Sequence, residues 1–279
     1  MKIAGIQCAF SDNEVENLNN LEVYVREAAA LGARVVLAPE LFQGYYFCQH
    51  VNKENFSRAK SVEESESIKR FLDLSKELKL FLPVSFFEKS PQGYFNSLAV
   101  IDSGKLIDVY RKSHIPEGSG YEEREYFKEG DTGFKVYEVD GVQVGIGICW
   151  DQWFPELARC LRLKGAHVIL YPTAIGSEPA DGSMDTSEMW RKVMLGHSVA
   201  NSVGVVASNR IGKEDEITFY GTSFIANQKG EVLVEKSRTQ EGVFCVDLDV
   251  EAIKRHQKNW PFLKHRRPEL YGDLVKARE

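Results

Sequence analysis

Short apolar runs and longer amphipathic stretches alternate along the first part of the chain. Residues 2–10 and 33–40 are almost wholly apolar, as expected for strands that are buried on both faces of a sheet. Residues 13–32 lie between them and carry apolar side chains at helical spacing. These side chains are Val15, Leu18, Leu21, Val25, Ala28 and Leu31. The pattern predicts a β-α-β unit.

The next elements continue this alternation. Residues 61–80 have the spacing of a second amphipathic helix, and residues 81–88 form another apolar run. Residues 94–112 alternate apolar and polar positions on both sides of Ser103 and Gly104, which predicts a β-hairpin that turns at these two residues.

The second half of the chain repeats this layout. The run "GARVVLAPE" at 32–40 matches "GAHVILYPT" at 165–173, and "KIAGIQC" at 2–8 matches "QVGIGIC" at 143–149. The hairpin sequence is echoed at 221–235. Two related halves predict an α/β fold in which two sheets pack face to face with helices outside, a four-layer α-β-β-α sandwich with internal pseudo-symmetry.

The domain organisation follows from the same comparison. No segment rich in Pro, Gly or Ser separates the halves, so we expect a single domain over residues 1–279. Residues 251–279 resemble neither half, and we expect this C-terminal tail to lie at a subunit interface.

Composition narrows the functional classes. The chain is 43% hydrophobic and 27% charged, and it has no apolar run near the roughly 20 residues of a membrane span. The N-terminal residues lack the organisation of a signal peptide, so we expect a cytoplasmic protein that does not bind membranes. A net charge of −6, with only a short basic run at 264–267, argues against nucleic acid as a partner. The five cysteines are widely spaced, which argues against a disulfide framework and a zinc site.

One cysteine stands at a position suited to chemistry. Cys149 ends the apolar run 144–148, and a helical pattern begins soon afterwards at Pro155. Peptide N–H groups at the start of a helix carry partial positive charge, which favours a thiolate and predicts a lowered pKa for Cys149. The alternative is a small buried core residue, because free cysteine is among the most buried residue types.

Two further ionisable residues follow predicted strands in the same way. Glu40 comes after the apolar run 33–39, and Lys112 comes after the second strand of the first hairpin. A charge in such a position is usually solvated in a loop. However, ligands of α/β sheets gather at the carboxyl ends of strands, so Glu40, Lys112 and Cys149 are expected to share one edge.

The segments around these residues resemble a known family. "APELFQGYYF", "YRKSHIP" and "GICWDQWFPE" resemble, in this order, the three catalytic motifs of the nitrilase superfamily of carbon–nitrogen hydrolases. The resemblance implies that Cys149 is the nucleophile, Glu40 the general base and Lys112 the cation that stabilises the tetrahedral intermediate. It also implies that Glu123 holds Lys112. Neither a metal nor an organic cofactor is implied.

Longer segments such as "LFQGYYFCQ" and "YPTAIGSEP" resemble the branch of the superfamily that hydrolyses N-carbamoylputrescine. The implied reaction cleaves the carbamoyl C–N bond of a small N-carbamoyl amine and yields putrescine, ammonia and carbon dioxide in polyamine synthesis. The substrate ammonium would then meet Glu178, and the wall residues would be Tyr46, Tyr121, Trp150 and Trp153. Relatives of this kind assemble as homo-oligomers, so a dimer or a larger assembly is expected.

Several alternatives stay open at this point. An enzyme for N-carbamoyl-β-alanine needs an arginine for the substrate carboxylate, and Arg191 is available on a predicted helix. A papain-like hydrolase pairs cysteine with histidine, and His114 and His197 are candidates. A true nitrilase and a non-enzymatic amine-binding relative are the other possibilities.

Overall fold

A computed structural model describes residues 1–276 and contains two six-stranded mixed sheets. In spatial order, the strands of the first sheet are β14 (Gly242–Asp247), β1 (Lys2–Gln7), β2 (Val35–Leu37), β3 (Phe81–Ser90), β4 (Gly93–Asp102) and β5 (Lys105–Arg111). The β1, β2 and β3 strands are parallel, and the other neighbours are antiparallel.

The second sheet has the same pattern of pairing. In spatial order, its strands are β6 (Val136–Val139), β7 (Val142–Ile146), β8 (Val168–Thr173), β9 (Gly204–Asn209), β12 (Phe224–Ala226) and β13 (Val232–Glu235). Again the three strands β7, β8 and β9 are parallel, and all other neighbouring strands of this sheet pair antiparallel. A separate hairpin is inserted between β9 and β12, and its strands are β10 (Ile211–Glu214) and β11 (Ile217–Tyr220).

The α-helices are α1 (Glu14–Ala30), α2 (Glu66–Leu78), α3 (Pro155–Leu163), α4 (Ser187–Asn201) and α5 (Val250–Asn259). One buried cluster joins the facing sheets, and two others join the outer faces of the sheets to α1 and α2 or to α3 and α4. Successive residues of β2 show this arrangement, because Val35 and Leu37 face the central cluster and Val36 faces the helices. The predicted four-layer α-β-β-α sandwich is confirmed.

One feature of the topology was not predicted. The strand that follows each hairpin crosses into the opposite sheet, so β6 joins the second sheet and β14 joins the first. The two halves are therefore interlocked by an exchange of one strand each, which keeps the two sheets in a fixed relation.

The helix predictions need two corrections. In α1, Leu18, Leu21, Val25 and Ala28 are buried, but Val15 and Leu31 lie at the ends of the helix and are exposed. The second helix begins at Glu66 rather than near residue 61, because the Ser65 hydroxyl caps it by accepting from the backbone N–H of Ile68.

The C-terminal tail begins with α5, and this helix packs on the chain itself. Ile253 is fully buried in the central cluster, and the Gln257 amide donates to the carbonyls of Ala166 and Ser202. Large exposed apolar side chains start at Trp260. Residues 277–279 of the predicted tail lie outside the described residues. Among residues 1–276, no helix has the length and apolar character needed to cross a bilayer.

Candidate active site

Strand ends of both sheets bring the predicted site residues to one edge of the molecule. Glu40 follows β2, Lys112 follows β5 and Cys149 begins the turn after β7. The backbone N–H of Glu40 donates to the carbonyl of Thr173, at the end of β8, over 3.4 Å. This bond joins the edges of the two sheets at the site.

Lys112 is at the centre of a buried ionic cluster. Its ammonium lies 2.9 Å from Glu40 Oε1 and 2.8 and 2.7 Å from the two carboxylate oxygens of Glu123. The exposed fraction of these three side chains is 1% or less. The structure therefore brings Glu40, Lys112 and Glu123 into direct contact, in a place where water does not screen their charges.

The charges of this cluster act on each other strongly. Burial alone lowers the pKa of Lys112, but Glu123 and Glu40 outweigh it and raise this pKa well above its ordinary value, which favours the charged ammonium. Burial raises the pKa of Glu123, and the Glu40 charge acts in the same direction, while Lys112 and the Tyr46 hydroxyl act against it.

The two carboxylates have different partners. The Tyr46 hydroxyl donates to Glu123 Oε1 over 2.7 Å, which adds to the two bonds from Lys112. Glu40 Oε1 accepts from Lys112 and from the Asn96 amide, which is 2.6 Å away. Glu40 Oε2 is buried and has no hydrogen-bond partner within residues 1–276. One carboxylate oxygen of Glu40 is thus held in place, and the other is free to accept a proton.

Cys149 lies in a sharp turn between β7 and α3. Its φ of 40° is in the left-handed region, which is unusual for a residue with a side chain. A Cβ atom at Gly147, just after β7, would lie 2.9 to 3.2 Å from side-chain atoms of Tyr171, Leu157 and Asp151, so glycine avoids crowding in the segment that leads into this turn. A strained backbone conformation persists only when the surrounding structure holds it, so we expect neighbouring contacts to fix the backbone of Cys149.

Asp151 holds the turn of Cys149. Its fully buried carboxylate accepts from the backbone N–H of Ile148 at 2.9 Å, from the Tyr110 hydroxyl at 2.7 Å, and from the backbone N–H and ring of His114 at 3.0 and 2.7 Å. Because Tyr110 and His114 belong to the segment around Lys112, Asp151 fixes the cysteine turn against the lysine strand.

The predicted lowering of the Cys149 pKa is wrong. Burial raises the pKa of this thiol well above its ordinary value, and the nearby Glu40 raises it further, while Lys112 lowers it. The thiol donates weakly to the carbonyl of Ala174, 3.8 Å away. Burial beside a carboxylate therefore outweighs the charge of a helix end and favours the protonated thiol at Cys149.

Both histidines of the papain-like alternative have other contacts. The His114 ring binds Asp151 and stacks on Phe154 with a centroid distance of 3.7 Å. The His197 ring is buried and binds the carbonyl of Gln152 at 2.8 Å. Both rings thus bind the cysteine turn, and neither belongs to the ionic cluster around Lys112.

The predicted wall residues occupy different environments. Tyr46 and Tyr121 pack against each other with a centroid distance of 5.9 Å, and the Tyr121 hydroxyl accepts from the backbone N–H of Gly176. Tyr46 is buried, so it belongs to the ionic cluster more than to a wall. Trp150 is exposed, and Trp153 packs half-buried against the core beneath α3 and α4.

Glu178 lies on the loop between β8 and α4, close to two tyrosines of the site. It is half-buried, and burial raises the pKa of its carboxyl. Thr186 donates to Glu178 Oε1 over 3.5 Å and also contacts the Tyr220 hydroxyl. Glu178 thereby presents a carboxylate in a partly desolvated place lined by aromatic rings.

Two polar residues of the site were missed by sequence reasoning. Asp151 was detectable, because it stands two residues after the candidate nucleophile in a run that becomes a buried turn. Asn96 lies within β4 and is fully buried. It is a polar residue on a buried strand, which is the only signal the sequence contains for it.

Comparison with known proteins identifies the family of this chain. The family model of carbon–nitrogen hydrolases matches residues 2–258. The chain belongs to the carbon–nitrogen hydrolase family. The predicted family and the predicted class of enzyme are thereby confirmed.

The chain is similar to two curated relatives and one solved structure over nearly its whole length. It is 48% identical to an N-carbamoylputrescine amidase of Arabidopsis thaliana, over 98% of this chain and 94% of the relative. It is 44% identical to a citrullinase of Francisella tularensis, over 99% of this chain and 98% of the relative. A crystal structure of a carbon–nitrogen hydrolase from Helicobacter pylori is 32% identical and superposes with a TM-score of 0.93, over 100% of this chain and 99% of that one.

Proposed function

We propose that this carbon–nitrogen hydrolase cleaves N-carbamoylputrescine through a cysteine-bound intermediate. The observation that carries the proposal is the buried cluster in which Glu40 has one oxygen fixed by Lys112 and Asn96 and one oxygen free. Burial, and after it the carboxylates of Glu40 and Glu123, raise the pKa of the Cys149 thiol, so attack by the sulfur requires a base within the site. Glu40 is the carboxylate with an unpaired oxygen among residues 1–276.

In the first half of the reaction, Glu40 takes the thiol proton as the sulfur of Cys149 attacks the ureido carbon. The carbonyl oxygen becomes an oxyanion, which the Lys112 ammonium and the backbone N–H of Trp150 stabilise. Glu40 then gives its proton to the departing nitrogen, and ammonia leaves. An alkylcarbamoyl thioester remains on Cys149.

In the second half, Glu40 removes a proton from water, and the oxygen of this water attacks the thioester carbon. The carbon–sulfur bond breaks, the thiolate regains a proton, and the N-carboxylated amine departs and loses carbon dioxide to give putrescine. Glu123 keeps Lys112 in place throughout, because it binds the ammonium with both oxygens.

The substrate assignment rests on Glu178 and on the similarity to N-carbamoylputrescine amidases. A half-buried carboxylate beside Tyr121 and Tyr220 suits an alkylammonium group. Citrulline, the substrate in the name of another relative, carries a carboxylate next to its ammonium. Arg191, the arginine considered for a substrate carboxylate, is bound to Glu235 over 3.1 Å, which favours the simple amine.

We also propose the setting in which the enzyme works. Five free cysteines fit the reducing cytoplasm, and a putrescine product fits polyamine synthesis. The chain would act as one domain over residues 1–279 and assemble as a homodimer or larger oligomer through the tail 251–279. The exposed apolar side chains of Trp260, Leu270 and Leu274 support a buried position for this tail in an assembly.

The test is a comparison of kcat/KM for N-carbamoylputrescine, citrulline, N-carbamoyl-β-alanine and a simple aliphatic nitrile. N-carbamoylputrescine should be the best substrate, and Glu178→Gln should raise its KM about tenfold or more because a charge-assisted contact is lost. Glu188→Gln, which changes an exposed carboxylate in the first turn of α4, should leave KM unaltered.

A higher kcat/KM for citrulline or for N-carbamoyl-β-alanine would refute the substrate assignment. An unchanged KM in the Glu178→Gln variant would remove Glu178 from the substrate site and leave the hydrolytic cluster in place.

A further inference from the structure

A fully buried ion pair lies behind the turn that carries Glu40. Arg210 follows β9, and its Nη1 atom is 2.8 and 2.7 Å from the two carboxylate oxygens of Glu214 at the end of β10. The exposed fractions of the two side chains are 0% and 2%. Burying such a pair costs desolvation free energy that its own attraction does not clearly offset, so stability alone is a weak reason for it.

The remaining Arg210 contacts reach the main chain at the general base. Its Nη2 atom donates to the carbonyl oxygens of Glu40 and Leu41, each at 2.9 Å. Leu41 has a φ of 47°, a strained conformation for a leucine. The guanidinium therefore holds two consecutive carbonyls in a turn that would otherwise relax.

Glu214 holds the same segment from the other end. Its Oε2 atom accepts from the backbone N–H of Tyr46 at 2.6 Å, and the Tyr46 hydroxyl donates to Glu123. Glu123 binds Lys112, which binds the Glu40 side chain. The contacts form a closed ring that runs through Glu40, Arg210, Glu214, Tyr46, Glu123 and Lys112.

We propose that Arg210 and Glu214 are positioning residues for the Glu40 carboxylate. They touch no reacting atom and act through the main chain of Glu40 and Tyr46. The inference rests on the proposed role of Glu40 as general base. Arginine suits the task because its planar fork serves a carboxylate and two carbonyls at once, which a lysine ammonium of the same charge cannot match.

The test is the rate at which iodoacetamide alkylates Cys149, followed by peptide mass spectrometry in the full-length enzyme. Arg210→Lys should slow this alkylation about 10- to 100-fold, because a misplaced base accepts the thiol proton poorly. In the Glu40→Gln background, where no base remains to be positioned, Arg210→Lys should change the rate by no more than about twofold. Equal slowing in both backgrounds would overturn the proposal, since it would reveal a general structural effect.

A second variant guards against loss of folding. Arg210→Met combined with Glu214→Gln removes both buried charges and keeps an acceptor for the Tyr46 N–H, so it should fold and show the same slow alkylation. Arg34→Lys is the matched control. Arg34 pairs with Asp102 and Asp140 and lies just before the start of β2, whereas Glu40 follows the end of this strand. The control variant should alkylate at the wild-type rate.

Turnover separates positioning from binding. Arg210→Lys should lower kcat for N-carbamoylputrescine and leave KM unchanged, and a raised KM with unchanged kcat would contradict the proposal. Glu40→Gln alone distinguishes the two claims. If it alkylates as fast as the wild type, the role of Glu40 fails. If it is slow while Arg210→Lys is fast, only the positioning role fails.

Discussion

Cys8 and Cys149 occupy equivalent positions in the two halves of the molecule but have different surroundings. Each follows the first strand of a parallel trio, each is buried, and burial raises the pKa of both thiols. Cys149 has a φ of 40°, whereas Cys8 is not among the residues with positive φ.

The groups near the two thiols account for the difference. The charged groups closest to Cys8 are already engaged: Glu241 accepts from the backbone N–H of Ala9 and from Tyr24, and Arg210 is bound to Glu214. Beside Cys149, one oxygen of Glu40 is unpaired among residues 1–276. We therefore propose that burial at a strand end yields a nucleophile only where a free base accompanies the sulfur.

Replacing each of the two cysteines with alanine should give the largest difference between the two halves. Cys149→Ala should lower kcat by about 10,000-fold or more, because the covalent route is lost. Cys8→Ala should leave kcat nearly unchanged and reduce the free energy of unfolding by about 1 to 2 kcal/mol, because it empties a small volume in the core. Steady-state kinetics and urea denaturation measure both effects. A folded Cys8→Ala variant without activity would show that the two turns are not distinguished in this way.

Replacing Asp151, which holds the turn of Cys149, should have the next largest effect. Asp151→Asn offers one acceptor oxygen where the carboxylate now serves Ile148, His114 and Tyr110. We expect kcat to fall about 100-fold and the free energy of unfolding to fall by about 2 to 4 kcal/mol, measured by kinetics and denaturation.

Asp12→Asn is the control for this change. Asp12 lies on the segment after Cys8, is exposed and pairs with Arg58. Loss of its charge should therefore lower the free energy of unfolding by at most about 0.5 kcal/mol. If Asp151→Asn behaves like Asp12→Asn, the cysteine turn holds itself without the carboxylate.

The alternation of strands and helices was predictable from the sequence because each element buries a face with its own period. The repeated apolar runs at 32–40 and 165–173 became β2 and β8, the middle strands of the parallel trios. The exchange of β6 and β14 between sheets was not predictable, since neither strand carries a local signal for the sheet it joins. The inserted hairpin of β10 and β11 also has no counterpart in the first half.

In the candidate site, too, some residues could be predicted from the sequence and others could not. Glu40, Lys112 and Cys149 end regular strands, so their convergence followed from topology, and Glu123 was expected from the family resemblance. Asn96 and Arg210 act through contacts with residues that are far away in the chain, which no local pattern encodes. The direction of the Cys149 pKa was mispredicted because a helix end was visible in the sequence and the depth of burial was not.

The pH dependence of Cys149 alkylation by iodoacetamide tests the role of Glu40 most directly. In the proposed mechanism, Cys149, whose pKa is raised by burial, is a thiol at neutral pH and gives its proton to Glu40 as it reacts. The alkylation rate of the wild type should therefore be nearly constant from about pH 6.5 to pH 9, and the His114→Gln variant should show the same plateau. The rate in the Glu40→Gln variant should be slow and should rise about tenfold per pH unit, because only the thiolate then reacts. A Glu40→Gln profile equal to the wild type, or loss of the plateau in His114→Gln instead, would contradict the assignment of Glu40 as the base.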